Sequence, residues 1–135
     1  MPRPAPYVNT TSQESSPNKF YVQWTSGSSG AVGTVSRSVG MAATPVTHGS
    51  TGVYTLSLAE PWAAGLLRFG YSIKQASYSS SGACHVVLTG DASTNLTTPT
   101  LTILVTTAAG AAVEPTTNDV IRVDFELQLQ PNNAG

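Results

Sequence analysis

Between residues 117 and 130 the sequence TNDVIRVDFELQLQ alternates apolar and polar positions almost without exception. Ile121, Val123, Phe125, Leu127 and Leu129 take the odd places, and Arg122, Asp124, Glu126, Gln128 and Gln130 the even ones. Successive side chains of an extended strand point to opposite faces, so the pattern predicts a strand over 120–130 with one core face and one solvent face. At roughly 3.3 Å per residue such a strand spans about 36 Å, enough to cross a whole domain. At a sheet edge it would also offer unpaired backbone to another chain.

Shorter runs repeat the same period. Lys19–Thr25 places Phe20, Val22 and Trp24 opposite Tyr21 and Gln23, and the stretch GSSG at 27–30 breaks it. A weaker strand is expected over Val32–Val39, with Val35 and Val39 inward. No element is assigned from there to the turn at 49–52, and His48 reads as a loop residue. Val53–Leu58 puts Tyr54, Leu56 and Leu58 on one face and stops at Pro61. Trp62–Leu67 reads as a helical turn or a bulged corner. In Leu67–Tyr78, Phe69, Tyr71 and Ile73 share a face, and Gly70 marks a bulge or a close backbone approach. Ala83–Thr89 is nearly all apolar, as in a central strand covered on both faces. In Thr100–Thr106, Leu101, Ile103 and Val105 alternate with polar or aliphatic neighbours. The low-complexity run AAGAAVEPTTND leads into the last strand. Six to eight strands at spacings of roughly 8 to 15 residues, with almost no helical period, predict an all-β fold, a β-sandwich or jelly roll.

The first 18 residues follow no such period. Pro2, Pro4, Pro6 and Pro17 punctuate polar sequence, and the segment reads as an extended arm ahead of one domain over 19–135. Fully extended it reaches about 60 Å. An unstructured terminus is the plainer alternative. No apolar leader core and no membrane-length apolar run is present, so neither secretion nor membrane insertion is expected.

Charge changes the picture more than length does. Only 10% of residues are charged, against about 25% in a typical soluble domain, and Ser and Thr fill about a quarter of the chain. Hydroxyls solvate a surface without repelling a second copy of it, so this surface tolerates close packing against protein. The net charge is −1. Arg3, Lys19, Arg37, Arg68, Lys74 and Arg122 are scattered along the chain, which argues against a phosphate-binding surface and against nucleic acid as partner.

Catalytic constellations are weak. His85 lies in the apolar run ACHVVL and reads as a core or subunit-interface histidine, not as part of a Ser–His–Asp triad with Asp91. Cys84 reads as a small buried hydrophobe. Two distant histidines and one cysteine do not make a metal site. Glu60, Asp91, Glu114 and Asp119 fall in expected turns, with Asp119 after Asn118 as turn chemistry before a strand. No enzyme activity and no cofactor is expected. Trp24 and Tyr54 read as core; Trp62 and Tyr78 are the aromatics expected to be exposed.

The stretches GVYTLSLAEPWAAGLLRFGYSI and AAGAAVEPTTNDVIRVDFELQL share a layout in which a strand leads through a Pro/Trp corner to a longer strand, and an Ala/Gly linker ending P-x-x-N-D feeds a terminal strand. Over residues 50 to 130 this layout resembles small bacteriophage capsid decoration, or cement, proteins. The resemblance implies a structural protein of the virion, made in the host cytoplasm. It would bind the outer capsid surface, commonly as a homotrimer, with the major capsid protein and itself as partners. It would bridge neighbouring capsomers and carry no catalytic residues. The arm, through Pro2, Arg3, Pro4, Tyr7 and Val8, is then the candidate partner-binding segment, adding a strand to a neighbour's sheet. The alternative is a virion fibre or receptor-binding domain that recognises surface glycan through Trp62 and Tyr78.

Overall fold

The computed structural model describes residues 18–61 and 66–127. The arm residues Pro2, Arg3, Pro4, Tyr7 and Val8, together with Trp62 and Leu129, lie outside them. Among the described residues eight strands follow in order: β1 (Asn18–Ser26), β2 (Val32–Val39), β3 (Met41–His48), β4 (Val53–Leu58), β5 (Leu66–Lys74), β6 (His85–Ala92), β7 (Thr100–Thr106) and β8 (Val120–Leu127). A 3₁₀ turn, Ser28–Gly30, lies between β1 and β2. The strands form two four-stranded antiparallel sheets, β2-β1-β8-β5 and β3-β4-β7-β6. They pack face to face as a β-sandwich, as the strand rhythm predicts.

The alternating residues close the core. Phe20, Val22 and Trp24 of β1 and Ile121, Val123, Phe125 and Leu127 of β8 face Tyr54, Leu56 and Leu58 of β4 and Leu101, Ile103 and Val105 of β7. Burying each such side chain contributes about 1.5–3 kcal/mol relative to leaving it exposed. Phe20 stacks on Phe125 at 5.7 Å and Trp24 packs against Tyr54 at 5.5 Å. Strand β8 is not peripheral: it lies between β1 and β5, and both of its backbone edges are paired.

Bulges decide which residues face outward, as two of them show. In β2 the register runs Gln23 to Arg37 and then Trp24 to Val35, leaving Ser36 as the extra residue. The parity of the strand flips there. Val35 packs against the core as expected, but Val39, expected inward, pairs with outward Tyr21 and is 43% exposed. In β5, Leu67 is extra between the Leu66–Leu127 and Arg68–Glu126 pairs. That lets both Leu66 and Phe69 turn inward and leaves Leu67 exposed.

Further sequence expectations fail for positional reasons. Residues 83–89 do not form a central strand. From His85 onward they belong to β6, which is the edge of its sheet, so Val87 stays 47% exposed and His85 is exposed, against the core half of its reading. Cys84 precedes the strand and is only half-buried, with its Sγ 3.6 Å from the Ser79 carbonyl oxygen. Asp91 lies within β6 instead of a turn. The strand β3 escapes the sequence pattern because Pro45 interrupts it and its pairing with β4 skips between Met41 and Val46. Gly40 alone links β2 to β3, and therefore one sheet to the other. Its φ of +77° and the Phe20 ring standing where a Cβ would go both require glycine.

Candidate interaction surfaces

The strand pairings place side chains on the outer faces in rows. On the β2-β1-β8-β5 sheet, Lys19 pairs with Glu126 and Glu126 with Arg68. The next row is Val39, Tyr21, Asp124 and Gly70, and the row after it Arg37, Gln23, Arg122 and Ser72. A last row holds Thr25, Val120 and Lys74. All five described Lys and Arg residues thus lie on one face, although they are spread from position 19 to position 122. The expectation of scattered cations fails because sequence distance does not measure distance across a sheet. The Ser36 bulge contributes directly, since without it Arg37 would share the inward parity of Val35.

Within this face Arg68 Nη1 lies 2.6 Å from Glu126 Oε2, and Arg122 Nε lies 3.8 Å from Asp124 Oδ2. The Arg122 guanidinium also sits 4.6 Å over the Tyr21 ring, which occupies that aromatic face. Lys19, Tyr21, Arg68, Arg122, Asp124 and Glu126 surround a shallow depression of about 310 Å³. Gly70 adds no side chain beside it, and a Cβ there would stand 2.9 Å from Asp124 Oδ1.

The outer face of the β3-β4-β7-β6 sheet is different in kind. Val53, Leu104 and Val87 line up across β4, β7 and β6. Thr47, Thr55, Thr102 and Gly90 form the next row, and Ser57, Thr100 and Ala92 the one after. No charged side chain falls in these rows.

At one end of the sandwich a small polar cluster ties four segments together. Glu114 receives a hydrogen bond from the Gly52 backbone N–H at 2.5 Å, and both of its carboxylate oxygens lie 3.0 Å from His48 Nε2. His48, expected in a loop, ends β3 and packs its ring 5.0 Å from that of Tyr54. The Tyr54 hydroxyl donates to the Gly30 carbonyl at 2.5 Å. Burial, and then the nearby Glu114 carboxylate, raise the Tyr54 phenol far above its usual range, so it stays neutral. Every partner here is already used in closing the β1–β2, β3–β4 and β7–β8 connections, and the cluster reads as an end-piece of the fold. Among the described residues no three His, Cys, Asp or Glu side chains converge to hold a metal ion.

Asp119 does more than sequence reasoning assigned to it. It is fully buried, and its carboxylate accepts from the Ala76 N–H at 2.8 Å, the Thr116 N–H at 2.9 Å and the Thr116 hydroxyl at 3.1 Å. It fastens the loop leaving β5 to the loop entering β8. His85 Nδ1 lies 2.9 Å from the Tyr71 hydroxyl, joining the two sheets at their β5 and β6 edges. Tyr78, expected to be exposed, is 82% exposed beside a depression lined by Ile73, Gln75, Ala83 and Cys84.

No family model matches the chain, and no match was found among the curated proteins or the solved structures.

Proposed function

We propose that this protein is a structural component of a phage particle that binds the outer capsid surface as an oligomer and bridges neighbouring capsomers. It acts by adhesion, and no residue is assigned a catalytic role. The observation that carries the reading is the segregation of charge between the two outer faces. A sheet face made of Thr, Ser, Val and Leu packs against protein without stripping water from any ion. Its Val53–Leu104–Val87 row supplies apolar area for such a contact. The resemblance of residues 50 to 130 to decoration proteins supports the phage context of this reading. Contacts of standard size, about 1,600 Å² each, become tight when several are engaged together, because the first raises the effective concentration of the rest.

The test compares capsids with and without the protein under heating and osmotic shock. Decorated capsids should rupture at higher temperature and survive larger osmotic steps. Rupture at the same point in both would reject cementing. Among the described residues the glycan-binding alternative is supported by the exposed ring of Tyr78.

A further inference from the structure

We infer that the outer face of the β2-β1-β8-β5 sheet docks onto an acidic protein surface. On the reading proposed above, on which this inference builds, that surface belongs to the capsid shell. The face carries five cations and two carboxylates, a net of +3, in a chain whose total is −1. The other charged residues among those described, Glu60, Asp91, Glu114 and Asp119, sum to −4. A charge separation of that size within one small domain orients approach to a charged partner and raises the rate of productive encounter.

The arrangement within the face selects the class of partner. Both carboxylates sit on the central strand β8, and each already has an arginine neighbour, Arg68 for Glu126 and Arg122 for Asp124. Lys19, Arg37 and Lys74 are exposed and have no ion-pair partner among the described residues. They stand apart on three strands and in three different rows, around the central acids. A continuous phosphate backbone crossing the face would run over Asp124 and Glu126 and be repelled. A protein surface places its carboxylates at separate points, so it can meet the three outlying cations and avoid the centre. Opposite charge at three separated points also fixes the orientation of docking, which a single patch would not.

The experiment measures binding of the full chain to immobilised poly-glutamate, to duplex DNA and to undecorated capsids, at low and high salt. The wild type should bind poly-glutamate more tightly than DNA and weaken at least tenfold between about 50 and 500 mM salt, as exposed ion pairs do. Combining Lys19→Glu, Arg37→Glu and Lys74→Glu should abolish binding to poly-glutamate and to capsids. Because a folding defect would mimic that loss, Glu126→Gln supplies the opposite sign. It removes a central carboxylate, releases Arg68, and should tighten poly-glutamate binding about twofold or more. Equal binding by the wild type and the triple variant would overturn the assignment of this face. Tighter binding to DNA than to poly-glutamate would overturn the choice of an acidic protein. Loss of poly-glutamate binding with undiminished capsid occupancy would show that the shell is met elsewhere. A wild type that binds poly-glutamate through this face and ignores capsids would instead sink the capsid reading and leave the acidic-surface assignment standing.

Discussion

Replacing Asp119 by alanine tests whether the sandwich depends on one buried carboxylate. The side chain is fully buried and accepts three hydrogen bonds, two from backbone N–H groups of different loops. In Asp119→Ala the N–H groups of Ala76 and Thr116 lose these acceptors. A hydrogen bond to a charged group contributes about 1.5–3 kcal/mol, but the three share one carboxylate and do not add. Removing the buried charge also recovers part of its desolvation cost. Water reaches part of the vacated site, since Ala76 and Thr116 are themselves exposed. The balance gives a loss of about 3 kcal/mol. With an m-value of about 1.5 kcal/mol/M, the urea midpoint falls by about 2 M. Asp119→Asn keeps the shape but turns an NH₂ group toward one of the donors, and its midpoint should fall between those of the wild type and Asp119→Ala. The control is Asp124→Ala on the open face, where the change stays within about 0.5 kcal/mol. A midpoint shift below about 0.5 M for Asp119→Ala, with an unchanged m-value, would refute the reasoning.

Other variants probe the cluster at the sandwich end and the crossing between sheets. The Tyr54 phenol keeps its proton in the fold above the pH at which the unfolded chain releases it, near its usual value of 10.0. Its stabilising contribution is therefore complete below that pH and declines as pH rises beyond it. Tyr54→Phe should cost about 1 kcal/mol at neutral pH, through the lost bond to Gly30, and urea titrations repeated up to about pH 11.5 should show this gap narrowing. A constant gap would contradict the assignment. At Gly40, alanine meets both the left-handed backbone and the Phe20 ring. Gly40→Ala should cost about 2–4 kcal/mol and lower the thermal midpoint by about 10 °C or more in a melt followed by circular dichroism.

The period-two runs in the sequence were enough to determine the class of fold and most of its core. Phe20, Val22 and Trp24, Tyr54, Leu56 and Leu58, Leu101, Ile103 and Val105, and the odd positions of β8 all face inward as their alternation requires. Alternation is a local property, so it survives any arrangement of the strands that buries one face. What it does not carry is neighbourhood. Nothing local separates an edge strand from a central one, so the apolar run before Thr89 reads as central while the sheet leaves it at the edge, with Val87 and His85 exposed. Nor does alternation announce a single inserted residue, yet Ser36 and Leu67 reverse the faces of everything beyond them along their strands. The gathering of Lys19, Arg37, Arg68, Lys74 and Arg122 on one face follows from these two things together, strand order and bulge position. Both are set by pairings between residues far apart in the chain, and for that reason only the tertiary structure decided where the charge of this protein lies.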